Sequence, residues 1–224
     1  FRATQGLSAQ FGEHRFRDTP ISEQSMVGLA GGAAAMGMRP IVEVMFMDFI
    51  ACCMDAIVNH AAKLRYMSGG QFQVPLVIRT QGGTGTHHGS QHSQMFESWF
   101  VHVPGLAVVV PSTPEDAKGL FKSAVALDDP VLFVEHRALY KTRGEVDDPV
   151  DPIPLGQGVI RRQGTDVTVV AVGGTVHQAL SAAGQLDTEN VSVEVLDLRT
   201  LVPMDLELVL ESLSRTNRLV VAHE

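Results

Sequence analysis

The chain of 224 residues is 45% hydrophobic and 19% charged, with a formal net charge of −8. That length supports one large core or two modest ones, and the acidic balance gives no support for binding nucleic acid or an anionic membrane. No run approaches the roughly 18 apolar residues of a membrane span, and the only cysteines, Cys52 and Cys53, are adjacent, which excludes a disulfide framework and points to a reducing compartment.

In chain order, a short amphipathic segment carries Leu7 and Phe11. Ser22 is expected to N-cap a helix that stops near Gly37, with Pro40 as the breaker. Glu23 falls in its first turn, where the macrodipole favours negative charge. Behind it, Gly28, Gly31, Gly32, Ala30 and Ala33 to Ala35 leave little side-chain volume. Glycine costs about 1 kcal/mol in a helix interior, so close approach of another backbone or a ligand is the expected compensation. Read alone, Glu23 is either a first-turn acid on a tightly packed helix or a carboxylate at the mouth of a site.

Ile41 to Met47 reads as a strand of a buried parallel sheet. Asp48 is expected to cap a helix with Phe49, Ile50, Met54, Ile57, Val58, Ala61 and Leu64 at i, i+3/i+4 spacing, ended by Ser68-Gly-Gly70. A strand from Val74 to Arg79 and a glycine-rich loop from Gly82 to Gly89 follow. A helix is expected from His92 to Phe100, a strand from Leu106 to Val110, and a helix from Thr113 through Ala126 with Pro114 in its first turn. Val131 to Val134 closes the set.

Residues 141–158 are acidic, proline-rich and unperiodic, the signature of a linker. Beyond them Val167 to Val172, a helix from Thr175, Val191 to Val195, a helix from Asp205 and Leu219 to Ala222 open a second α/β unit. Strands alternating with helices predict βαβ units, a mainly parallel sheet and helices on both faces. The expected fold class is therefore a three-layer, doubly wound α/β domain over residues 1–140, a linker over 141–158, and a second α/β domain from 159 to 224. An opening without methionine and a strand-like close read as a chain clipped at both ends.

Ligands of such sheets bind at the carboxyl ends of the strands. Three loops there carry chemistry: Asp18 to Glu23, Met45 to Phe49, and Gly82 to His92. The last offers backbone N–H groups, hydroxyls and the imidazoles of His87, His88 and His92. It lacks the lysine of a phosphate-binding loop. A zinc reading needs His88 and His92 on a helix, which Gly89 opposes. An acid/base histidine at a helix start and a plain exposed polar loop both stay open. Lone His136, His177 and His223 read as structural.

Asp18-Thr-Pro-Ile-Ser-Glu23, Arg39-Pro-Ile-Val-Glu-Val-Met-Phe-Met-Asp-Phe49, Ala62-Lys-Leu-Arg-Tyr-Met-Ser-Gly-Gly70, Gln91-His-Ser-Gln94, Pro114-Glu-Asp-Ala-Lys-Gly-Leu120 and Asp197-Leu-Arg-Thr200 stand in one order along the chain. Together they resemble the β subunit of thiamine-diphosphate-dependent 2-oxo acid dehydrogenases, the pyruvate, branched-chain and acetoin group, with a transketolase-like pyrimidine-binding domain and the start of a transketolase C-terminal domain. The resemblance implies an oxidoreductase subunit that cleaves a 2-oxo acid or acetoin and passes the acyl unit to a lipoyl domain. It makes Glu23 the carboxylate on the aminopyrimidine ring nitrogen, favouring the imino tautomer that takes the thiazolium proton. Phe49 packs on the pyrimidine, Ile21 and Met45 are neighbouring contacts, and His92 is the active-site histidine near the thiazolium end. Leu76, Ala124, Val125, Leu127 and Asp129 match a structural potassium site formed mainly by backbone carbonyls.

The Gly-Asp-Gly diphosphate motif, with its distant asparagine, does not occur in the sequence. The resemblance therefore implies a split site, with Mg2+ and the diphosphate held by an α subunit in a heterotetramer of two α and two β chains that serves a lipoyl transacylase core. It also implies a cytoplasmic location, or the mitochondrial matrix in a eukaryote. A catalytically inactive interaction subunit of the same fold is the alternative, and a fragment of a transketolase is a third reading.

Overall fold

The structure, a computed structural model, describes residues 4–224; Phe1, from which the first domain was counted, lies outside them. The first half runs α1 (Leu7–Phe11), α2 (Glu23–Ala35), β1 (Ile41–Val44), a 3-10 turn (Met47–Cys53), a π turn (Ala56–Ala61), α3 (Ala62–Met67), β2 (Val77–Gly82), α4 (Glu97–Val101), β3 (Ala107–Val109), α5 (Pro114–Ala126) and β4 (Val131–His136). A 3-10 turn at Arg137–Lys141 follows, then β5 (Val159–Arg162), β6 (Val167–Ala171), α6 (Gly174–Leu186), β7 (Val193–Asp197), β8 (Thr200–Val202), α7 (Leu206–Thr216) and β9 (Leu219–Val221).

Two sheets result. The first has the order β1-β2-β4-β3-β8, parallel except for β8; the second has the order β5-β7-β6-β9, parallel except for β5. Side chains of β2, β3 and β4 alternate between two cores. Val77, Ala107, Val109, Val131 and Phe133 join Leu120 and Ala124 of α5, whereas Ile78, Val108, Leu132 and Val134 face the main core with Val27, Ile50 and Ile57. Burial of both faces is what a parallel sheet covered by helices demands, and it explains the unbroken apolar runs. The α/β fold class is as the pattern dictates.

Several elements differ from their expected bounds. The strand expected to reach Met47 ends at Val44. The single long helix after Asp48 is a 3-10 turn, a π turn and only then α3. Two short antiparallel strands, β5 and β8, have no counterpart in the expected pattern. β8 leaves the second half of the chain to pair with β3 of the first sheet, Val202 opposite Val108.

The segment of 142–158 has neither helix nor strand, yet it is not a loose tether. Ile153 N–H donates to the Gly119 carbonyl at 3.2 Å, Ser123 Oγ donates to the Ile153 carbonyl at 2.6 Å, and Lys122 Nζ donates to the Val150 carbonyl at 2.6 Å. A Cβ at Gly119 would stand 2.6 Å from Ile153, so glycine there lets the segment lie along α5. The halves are joined further by a buried charge cluster. Arg161 pairs with Asp116 and, at 2.8 Å, with Asp197, and Arg199 reaches Asp116 at 2.8 Å. Ser112 donates to Asp197, whose carboxyl burial holds above its ordinary value against the pull of Ser112 and Arg161.

Candidate active site

β1 and β2 lie side by side in the sheet, and their carboxyl ends carry the second and third chemical loops, while the first precedes α2. Ser22 does not cap through its side chain: Oγ donates to Ser25 Oγ at 3.0 Å, and its carbonyl accepts Met26 N–H at 2.9 Å. Glu23 is half-buried, and among the described residues its carboxylate has no hydrogen-bond or ion-pair partner. α2 packs on the Met47–Cys53 turn, which places Glu23 within electrostatic reach of Cys53. Burial, then the charge of Glu23, pushes that thiol up to about 12 and keeps it unreactive. Ile21, two residues before Glu23, is 91% exposed.

The expected compensation for the glycines of α2 is not supplied by this chain. A Cβ at Gly28, Gly31 or Gly32 would meet nothing within 4 Å, and the three line an open groove between α2 and the π turn with Asn59 and His60.

The second loop turns at Phe46, whose φ of 68° and ψ of 125° lie outside the extended region. That conformation ends β1 early and costs a non-glycine residue about 1–3 kcal/mol. Asp48 does not cap a helix. Its carboxylate, 8% exposed, accepts from Gln94 Nε2 at 2.7 Å, tying the second loop to the third. Phe96 N–H adds a contact to Met47 Sδ at 3.2 Å. These bonds hold 92–96 out of a helix, so α4 starts at Glu97 rather than at His92. Met45 is 55% exposed.

His92 stands between two rings. Its centroid is 5.3 Å from that of Phe49 and 4.6 Å from that of Phe46, both near-perpendicular. Arg137, buried after β4, lays its guanidinium carbon 4.9 Å from the Phe46 centroid and donates to Thr86 Oγ1 in the glycine-rich loop. Phe49 and His92 thus share one corner, and α2, which Glu23 opens, packs on the turn that carries Phe49. Phe46 and Arg137 join that corner unforeseen. The strand-end rule that picked the other loops reaches Arg137, while nothing in a phenylalanine marks it for positive φ.

The glycine-rich loop is fixed from behind. Gly83 has φ 102°, and a Cβ there would fall 2.4 Å from His136 Nε2. Gly83→Ala should therefore lower stability by at least about 2 kcal/mol in urea denaturation, from strain and overlap together. His136 Nε2 meets Glu224 Oε1 at 2.5 Å, and Thr84 gives Glu224 both its N–H, at 3.2 Å, and its hydroxyl, at 2.5 Å. The His136 hydrogen bond foremost, then those of Thr84, hold the Glu224 carboxyl at about 2 against its ordinary 4.5, in spite of burial. A depressed carboxyl stabilises fully above its unfolded value and loses that contribution as pH falls through its folded value. Protection of residues 83–86 from hydrogen exchange should accordingly fade between pH 4.5 and 2. At neutral pH, Glu224→Ala should speed exchange of the Thr84 amide about tenfold. The lone histidines are all engaged structurally: His136 as above, His177 Nε2 with the Ser112 carbonyl at 2.8 Å, and His223 with Glu97 at 2.6 Å.

Of the five residues matched to potassium, Leu76 and Ala124 are buried. The carbonyls of Val125 and Leu127 accept from the Arg39 guanidinium at 2.8 and 2.7 Å, and Arg39 also bonds the Asp128 carboxylate at 2.9 Å. Asp129 takes both oxygens to Arg65 Nη1 at 2.7 Å. Positive charge at the end of α5 is already supplied by arginine. Among the described residues no group of three or more His, Cys, Asp or Glu is placed to hold a metal ion, and no helix is long and apolar enough to cross a membrane.

Residues 1–143 match the family described as transketolase, pyrimidine binding domain, and 156–224 match transketolase, C-terminal domain. Over 221 residues the chain is 52% identical to acetoin:2,6-dichlorophenolindophenol oxidoreductase subunit beta of Cupriavidus necator, covering 99% of this chain and 65% of that protein. Over 224 residues it is 46% identical to pyruvate dehydrogenase E1 component subunit beta of Rickettsia felis, covering 100% and 69%. The chain thus spans about two thirds of the length of these relatives. Among solved structures, a split-gene transketolase described as an inactive beta4 tetramer superposes with a TM-score of 0.83 at 26% identity, over 100% of this chain and 70% of the other.

Proposed function

The chain belongs to the transketolase-like β subunits of the pyruvate and acetoin dehydrogenase type, and from that premise we propose that it supplies the pyrimidine half of a thiamine-diphosphate site in a 2-oxo acid or acetoin dehydrogenase. The observation that carries this reading is Glu23: a half-buried carboxylate with no partner among the described residues, on a helix that packs against the turn carrying Phe49, whose ring meets His92. Such a group suits a ligand that brings its own hydrogen-bonding nitrogen, because an unpaired polar group at a partly desolvated site is otherwise unfavourable.

Bound thiamine diphosphate supplies the carbon nucleophile that adds to the oxo group. Glu23 holds a proton against the aminopyrimidine nitrogen, where partial burial strengthens the interaction. Phe49 offers an apolar ring to the pyrimidine, with Ile21 and Met45 beside it. Both of those side chains are largely exposed in this chain, as contacts completed from across a subunit boundary would be. His92, aimed by its aromatic neighbours, moves protons at the reacting end or guides the lipoyl arm.

The diphosphate and Mg2+ fall to an α subunit, in an assembly of two α and two β chains that delivers the acyl unit to a lipoyl transacylase core. A potassium ion on the Leu76, Ala124, Val125, Leu127 and Asp129 set would share oxygens with Arg39, and no step depends on it. The fitting location is the cytoplasm, or the mitochondrial matrix in a eukaryote.

The test is to purify the full-length chain with its α partner and measure thiamine-diphosphate binding and acceptor reduction. Substrates are pyruvate, branched 2-oxo acids and acetoin. Activity confined to the assembly supports the split site; turnover by the β chain alone overturns it. An assembly that binds no cofactor leaves the inactive interaction subunit as the better reading.

A further inference from the structure

We propose that Phe46 is a positioning residue whose ring sets the orientation of the His92 imidazole. The inference rests on reading His92 as the proton-handling group of the site. Its physical basis is separate.

Phe46 occupies φ 68°, ψ 125°, a region that glycine enters readily and phenylalanine enters only when its surroundings hold it there. A glycine would relieve the backbone but carry no ring, so the ring is what the site retains at the expense of strain. That ring is packed on two sides. The His92 imidazole lies 4.6 Å away, tilted by 77°, and the Arg137 guanidinium carbon sits 4.9 Å from the centroid. Arg137 is in turn fixed by Thr86, in the loop that leads to His92.

His92 has few other anchors. Its N–H donates to the Gly89 carbonyl at 3.3 Å, and among the described residues its ring nitrogens make no hydrogen bond. Rotation of the imidazole about its terminal side-chain torsion, a broad one in histidine, is therefore limited by the rings of Phe46 and Phe49 rather than by a hydrogen bond. Phe49 is the ring already assigned to the pyrimidine. Phe46, braced by a guanidinium on a strained backbone, is the fixed wall against which His92 is set.

The experiment uses the full-length chain assembled with its α partner and three variants, Phe46→Ala, Phe46→Gly and Phe46→Tyr. Its first readout is the imidazole C–H resonances of His92 in histidine-labelled protein, assigned by loss of the signal in His92→Gln. The second is exchange of the thiazolium proton, which reports on Glu23. The third is the pH profile of acyl transfer to a lipoyl domain.

In the Ala and Gly variants the His92 resonances should move and kcat for acyl transfer should fall about 10- to 100-fold. Substrate KM and thiazolium exchange should hold, and Phe46→Tyr should restore both altered readouts. Unmoved His92 resonances in the Ala and Gly variants, or a tyrosine variant that restores neither, would overturn the proposal. Should the small variants fail to assemble, Arg137→Gln keeps the ring and removes its brace, and unmoved resonances there would overturn it equally. Failure of the wild-type assembly to bind thiamine diphosphate would count against the reading of the site, whereas the His92 signals judge Phe46 independently.

Discussion

Glu23→Gln should slow exchange of the thiazolium C2 proton on bound thiamine diphosphate by about two to four orders of magnitude, the range of a lost acid/base group. The substitution is isosteric. Because the carboxylate has no partner among the described residues, its removal orphans no buried donor, and the change in folding stability should stay within about 0.5 kcal/mol. Assembly with the α chain and cofactor binding should therefore survive. Near-normal exchange in the variant would remove Glu23 from the reaction. A built-in control exists at Cys53, whose thiol Glu23 helps to hold high. In the variant that thiol should titrate lower, while burial still keeps it above its ordinary value.

The largest effect on stability is expected at Arg161. Its guanidinium serves two carboxylates with fully buried side chains, Asp116 and Asp197. Arg161→Met leaves Asp197 without its cation and Asp116 with Arg199 alone. Removing one partner of such a cluster costs about 3–5 kcal/mol, which for a chain of this size lowers Tm by roughly 10 °C. The sign with pH follows from Asp197. Burial holds its carboxyl above 3.8, so its protonation favours the fold; that contribution is full below the ordinary value and fades as pH rises through the folded one. The loss in Arg161→Met should accordingly shrink in acid. Adding Asp197→Asn should recover part of it at neutral pH. A drop below about 1 kcal/mol, measured by denaturant unfolding, would show that the cluster is solvated and not structural.

Periodicity made the architecture legible. β2, β3 and β4 are apolar on successive residues because both faces are covered, and α5 announces itself with Thr113 as its cap and Pro114 behind it. Of the candidate loops, those of Phe49 and His92 each follow a break in a periodic run past a strand end, whereas Glu23 is marked only by its place in the first turn of α2. What stayed hidden depends on contacts between loops. Gln94 bonding Asp48 keeps His92 to Phe96 from coiling although their composition permits a helix. Phe46 reverses its backbone for the sake of its neighbours, not its own propensity. β8 has too few residues to show a period, and its pairing is set by where β3 leaves an edge. Arg39 reads as a surface charge before a proline, and only the fold brings it to the last carbonyls of α5.

Crossing of β8 into the first sheet has a consequence for how the polypeptide melts. Leu196, Leu198 and Val209 share one apolar cluster with Val108 and Val110, so no seam of water separates the halves. The two sheets lose their order together, in one cooperative step. A cut near residue 143 yields fragments with bare cores rather than two self-sufficient modules.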